Sequence, residues 1–144
     1  MKTFLNAAVA TALIAFAPAA PAEDLKTVEA EQLVERGELL YEKDSPTPFT
    51  GTMVAHWPGG QKAAEVEYRG GLTHGKWTEW YENGQKELEA EFHDGELHGT
   101  VIEWYKTGEI KSEAEFREGG LVSMEAWDER GNPLNLWVEE VEPI

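Results

Sequence analysis

There is no cysteine in the 144 residues. Disulfide staples, thiol catalysis and Cys-based zinc sites are therefore excluded, and the fold must be held by packing and backbone pairing. Basic residues are scarce. Twelve Lys and Arg stand against 28 Asp and Glu, giving a formal net charge of −16. That balance argues against nucleic acid, whose phosphates need Lys and Arg to replace released counterions. It also disfavours electrostatic docking on anionic lipid headgroups. A basic protein, a cation or a neutral ligand fits it, and a large net charge by itself also serves solubility. Long apolar runs are absent too. The longest, 4–16, is interrupted by Asn6 and Thr11 and falls short of the roughly 20 residues a membrane helix needs.

What stands at the N-terminus has the layout of an export signal. Lys2 supplies the positive start, 4–16 the apolar stretch, and Ala20-Pro21-Ala22 the small residues a signal peptidase reads. Cleavage is expected after Ala22, with a periplasmic or secreted mature chain; an uncleaved N-terminal anchor is the alternative.

The main signal is a repeat with a period of 24: Gly51, Gly75 and Gly99 keep that step, as do Gly60, Gly84 and Gly108, and Gly71, Gly95 and Gly119. Trp57, Tyr81 and Tyr105 follow it, and so do Tyr68, Phe92 and Phe116. The acidic pairs Glu65/Glu67, Glu89/Glu91 and Glu113/Glu115 share the register. Each unit reads as two strands. In the middle one, 75–81 is aromatic-rich, as pleated half-buried strands prefer. Asn83-Gly84 follows as a hairpin signal, both residues tolerating positive φ. Then 85–92 alternates, with Leu88, Ala90 and Phe92 on one face and Glu87, Glu89 and Glu91 on the other. Short links between the strands predict an all-β antiparallel meander of repeated hairpins in a single elongated sheet. Its glycines mark turns.

The divisions expected are a signal segment at 1–22, an N-terminal cap and loop at 23–50, and three units at 51–74, 75–98 and 99–122. A degenerate fourth unit and acidic tail occupy 123–144, with Gly131-Asn132-Pro133 as its turn. Within the cap, 33–36 and 39–42 bracket Gly37 and suit a hairpin; a helix over 27–40 competes, since Glu and Leu are helix formers. Atypical end units close repeat arrays.

Two strings carry a resemblance: Gly75-Lys-Trp-Thr-Glu-Trp-Tyr-Glu-Asn-Gly-Gln-Lys86, and Phe92-His-Asp-Gly-Glu-Leu-His-Gly99. Both resemble the MORN-variant repeat. The lead-in Leu33-Val-Glu-Arg36 and Pro48-Phe-Thr-Gly51 is similar to the start of bacterial MORN-variant proteins described as toxin–antitoxin antitoxins. The resemblance runs over about 33–134. It implies a hairpin meander that contacts proteins or membranes, and it transfers no catalytic residue. An export signal departs from the picture of an antitoxin acting in the cytoplasm.

The candidate binding residues are the aromatics Trp57, Trp80, Trp104, Tyr81 and Tyr105 and the ladder Glu65, Glu67, Glu89, Glu91, Glu113 and Glu115. Equivalent glutamates two strands apart should lie about 10 Å from one another. That is too far for one calcium to bridge and suits a row of Lys or Arg on a partner. Cross-strand Lys62, Lys86 and Lys111 would neutralise part of the ladder. Trp77 and Trp80 differ by an odd step and point to opposite faces, but which face is core depends on the length of the Asn83-Gly84 turn. A glycosidase needs one distinct carboxylate pair, whereas all three units carry the same acids, so no enzyme is expected. His74 and His98 sit at one phase before glycines, with His56 and His93 elsewhere. None has the helical spacing of a zinc protease, and no metal or cofactor is expected. The leading expectation is an exported module that binds a basic protein, with an immunity-like role as one form of it. Peripheral lipid binding, glycan binding and a passive envelope role are the alternatives.

Overall fold

The computed structural model describes residues 25–135. The segment 1–22, expected to be an export signal, and the acidic tail lie outside them. β1 (Thr27–Glu29) and a 3-10 turn (Ala30–Gln32) lead into a hairpin of β2 (Leu33–Arg36) and β3 (Leu39–Glu42). The first repeat contributes β4 (Gly51–His56) and β5 (Lys62–Arg69), and the second β6 (Leu72–Trp80) and β7 (Lys86–His93). After the short β8 (Glu96–Leu97), the third repeat contributes β9 (Gly99–Trp104) and β10 (Ile110–Arg117); β11 (Gly120–Ala126) opens the fourth.

From β4 to β11 each strand pairs antiparallel with the next, β8 lying off this path against β7. The fold is the hairpin meander that the 24-residue period predicts. Two features depart from a single antiparallel sheet. β1 runs parallel to β4, with Val28 opposite Met53, and β2–β3 is a separate two-stranded sheet. The chain from Ala30 to Thr50 is long enough for the return that parallel pairing requires. A helix over 27–40 does not form. Gly37 takes φ +67 at the hairpin tip, and the extended path lets Val28 and Leu33 reach Phe49 in the core.

The core is concentrated at this end. Val28, Leu33 and Phe49 are buried, with Leu40, Met53 and Tyr68 packed against them. Further along, Val54, Val66, Ala90, Ala114 and Ala126 are the buried apolar residues among those described, so the second and third units are one thin layer. Gly71 joins the two regions. Its N–H donates to Phe49 O (2.8 Å) and its carbonyl accepts from Leu40 N–H (3.0 Å). At φ +85, a Cβ there would lie 2.9 Å from Leu39 Cβ and 3.0 Å from Leu40 O, so only glycine fits without displacing backbone.

The hairpin turns differ from the two-residue form that Asn-Gly suggests. In the second unit Tyr81 N–H bonds to Gln85 O (2.9 Å) and Gly84 N–H to Tyr81 O (2.9 Å), which closes a longer loop. Gly84 has φ +85, whereas Asn83 is not in the left-handed region. Its amide accepts from Gln85 N–H (3.1 Å) and donates to Lys106 O in the next unit (2.9 Å). The same loop recurs at Trp57–Gln61, Tyr105–Glu109 and Asp128–Asn132. The pairing then shifts beside Trp80, with Glu87 as the extra residue on β7, and this bulge sets Lys86 opposite Trp80.

Candidate functional site

Register places the glutamate ladder on one face. Thr78 pairs with both Glu65 and Glu89, and Ile102 with both Glu89 and Glu113. Glu65, Glu89 and Glu113 thus form a row with Thr78 and Ile102 between them, and Glu67, Glu91 and Glu115 lie two residues along each strand on the same side. Trp80 follows Thr78 by two and Trp104 follows Ile102 by two, so both tryptophans share the acidic face. Trp77 lies on the other, opposite Val66 and Ala90 and 5.4 Å from the Phe92 ring.

Lysines link the carboxylates to the tryptophans. Lys62 pairs with Glu65 while its ammonium sits 5.4 Å from the Trp80 ring centroid; Lys86 pairs with Glu89 at 5.8 Å from Trp104. Both are cation–π distances. The third unit breaks this pattern. Ile110, 40 % exposed, pairs with Trp104 where Lys62 and Lys86 pair with their neighbours. Lys111 does not neutralise the ladder as its spacing suggested. It binds Glu103 at 3.1 Å, a residue the register puts on the opposite face, and this hydrogen bond raises the pKa of its ammonium. Among the described residues Glu113 makes no ion pair, and it stands directly opposite Glu125 on β11. Like charges facing each other across strands repel. Glu125 lies outside the 24-residue phase of the ladder and was not visible from it.

The remaining three candidate aromatics have a different place. Trp57 Nε1–H donates to Trp80 O (2.9 Å), Tyr81 O–H to Trp104 O (2.8 Å) and Tyr105 O–H to Trp127 O (2.9 Å). Each staples one unit to the next. Partial burial, then the charge of Glu87, raises the Tyr81 phenol pKa, which keeps its donor proton in place. Asp128 ends the series by accepting bonds from its own turn, at Asn132 and Arg130, and the Asn132 side chain foremost holds its pKa low. Trp127 occupies the position of Trp80 and Trp104 one residue early, because the pairing shift between β10 and β11 is smaller than in the earlier units. Tyr105→Phe is expected to lower stability by about 1 kcal/mol, the usual worth of one such bond, measured by urea unfolding; an unchanged midpoint contradicts the staple.

The candidate turn glycines fall where the chain bends. Gly60, Gly84 and Gly108 close the long loops, Gly71, Gly95 and Gly119 the short connections, and Gly51, Gly75 and Gly99 start strands or sit at the bulge within one. The fold also gathers His74, His93 and Asp94, whose ligand atoms all lie within 4.8 Å of one another.

The described residues thus define a repeat protein of stacked hairpins with one acidic, tryptophan-bearing face. Residues 73–94 and 97–118 match the MORN repeat variant family in two consecutive copies, which cover most of the second unit and most of the third. Repeats of this kind generally take part in protein or membrane binding. No curated protein and no solved structure matches the chain.

Proposed function

We propose that the chain is an exported binding module whose acidic face engages a basic protein, with the third unit as the centre of contact. The observation that carries this reading is the break in the lysine row. In the first two units Lys62 and Lys86 neutralise Glu65 and Glu89 and cover the tryptophans. In the third, exposed Ile110 stands where the lysine would be, and the facing pair Glu113/Glu125 has no lysine on that face, while Trp104 beside them is covered only by Lys86 of the second unit. A partner's Lys or Arg placed between Glu113 and Glu125 relieves their repulsion, and Trp104 supplies apolar contact beside it. Charge then speeds encounter while the tryptophan holds the complex.

The net charge of −16 favours a basic protein over anionic lipid. No helix among the described residues is long and apolar enough to cross a membrane. A binding role, not catalysis, suits acids that recur identically in three units. Export, read from the sequence pattern at 1–22, is part of this proposal and puts the partner outside the cytoplasm; neutralising an exported toxin in an immunity-like way is one form of the role. The test is immobilised protein exposed to periplasmic extract at low and high salt. A specific partner captured at about 50 mM salt and largely released at about 500 mM is expected, since exposed charge pairs are screened over a few ångström at high ionic strength. Salt-insensitive capture, or membrane vesicles retained in its place, contradicts the proposal.

A further inference from the structure

The connection between the second and third units carries a group of side chains that its sister connections lack. In the first unit the corresponding residues are Arg69-Gly70, and in the third Arg117-Glu118; only the second has His93-Asp94. Asp94 occupies the left-handed turn position at φ 49, where the first unit has glycine. His74 lies across the pairing, just before the bulge at Gly75. The two imidazole rings are 4.8 Å apart, and Asp94 sits between them, 3.0 Å from His74 Nδ1 through one oxygen and 3.5 Å from His93 Nδ1 through the other. The Asp94 N–H also points at His74 Nδ1, at 3.3 Å.

From this grouping we infer a binding site for a divalent transition cation, zinc foremost, ligated by His74, His93 and Asp94. Two imidazoles and one carboxylate are the donor set of open zinc sites, in which a fourth position is left to water or to another ligand. Donors around a tetrahedral zinc, with bonds of about 2.0–2.1 Å, lie about 3.4 Å from one another, close to the two carboxylate–imidazole distances present. The His74 side chain is 17 % exposed, whereas those of His93 and Asp94 are 68 % and 61 % exposed and open to an incoming ion. His98 stands behind, its ring 6.3 Å from that of His93, in a groove shared with Glu96 and Glu118. By strand alternation His74 and His93 fall on the same face as Glu67 and Glu91, so the acidic field raises the local cation concentration. Nitrogen donors select Zn²⁺, Ni²⁺ or Cu²⁺ over Ca²⁺ and Mg²⁺, which require oxygen. This inference stands apart from the partner-binding role.

The experiment is calorimetric titration of the purified, tag-free protein with ZnCl₂, and in parallel with CaCl₂. The expected result is about one Zn²⁺ per chain with no comparable uptake of Ca²⁺. His93→Arg with Asp94→Gly restores the residues used by the first unit at the same turn, so the fold is retained, as circular dichroism will show. Zinc affinity should then fall at least ~10-fold, the least that disturbed ligation costs. A second readout is paramagnetic Ni²⁺, which should broaden the imidazole signals of His74 and His93 and spare His56. Unchanged zinc affinity in the double variant, equal uptake of Ca²⁺, or broadening centred on His56 overturns the site.

Discussion

Phe49→Ala should destabilise the protein by about 3–5 kcal/mol, the range for truncating a buried phenylalanine. Phe49 is 3 % exposed and packs with Val28, Leu33, Leu40, Met53 and Tyr68, its ring 6.0 Å from that of Tyr68. Its backbone joins the β2–β3 hairpin to the repeats, with Phe49 N–H donating to Leu40 O (2.8 Å) and its carbonyl accepting from Gly71. Removal of the ring therefore leaves a cavity at the point where the cap meets the first unit. Domains of this size are stable by roughly 5–15 kcal/mol, so the loss is a large share of the whole. Phe116→Ala is the comparison. That ring is half-buried on a single-layer sheet, and its truncation should cost less than half as much. Urea unfolding of both variants measures this, and equal losses would show that the cap is not the stabilising centre.

The second large effect is on recognition. Trp80→Ala with Trp104→Ala should weaken partner binding on the order of 10²-fold or more, since buried aromatic anchors are worth about 2 kcal/mol or more each. The fold should persist, because the groups that accept the staples from Trp57 and Tyr81 are the backbone carbonyls of Trp80 and Trp104, which alanine keeps. Glu113→Gln with Glu125→Gln should act differently, slowing association more than it speeds release. Surface plasmon resonance with the captured partner separates the two. Wild-type affinity in the double tryptophan variant removes those residues from the interface.

The repeat was legible because glycine and aromatic spacing record it directly, and the period of two placed Trp77 and Trp80 on opposite faces without any coordinates. Which face was core was not legible. It turned on a bulge after Gly84, and a sequence of Asn-Gly does not say whether the loop has two residues or more. The same bulge brought Lys86 over Trp104. β1 was missed because a three-residue strand has too few positions to show alternation, and its partner β4 is distant in sequence. Trp127 was missed because a smaller pairing shift moved it one residue out of phase, and Glu125 because it sits on β11 where the earlier units carry no acid. Lys111 illustrates the converse. Its spacing resembled that of Lys62 and Lys86, yet Ile110 holds their place and Lys111 turns to Glu103. His93 and Asp94 were adjacent in the sequence, but only strand pairing brings His74 to them.

Most directly, the tryptophan indole N–H signals report which side of the sheet a partner covers. Nitrogen-15 spectra of the protein, assigned with single Trp→Phe variants, should be recorded before and after addition of the salt-eluted partner. Trp80 and Trp104 should shift or broaden while Trp77, on the opposite face, keeps its position. A shift of Trp77 with Trp80 and Trp104 unmoved would contradict recognition through the acidic face.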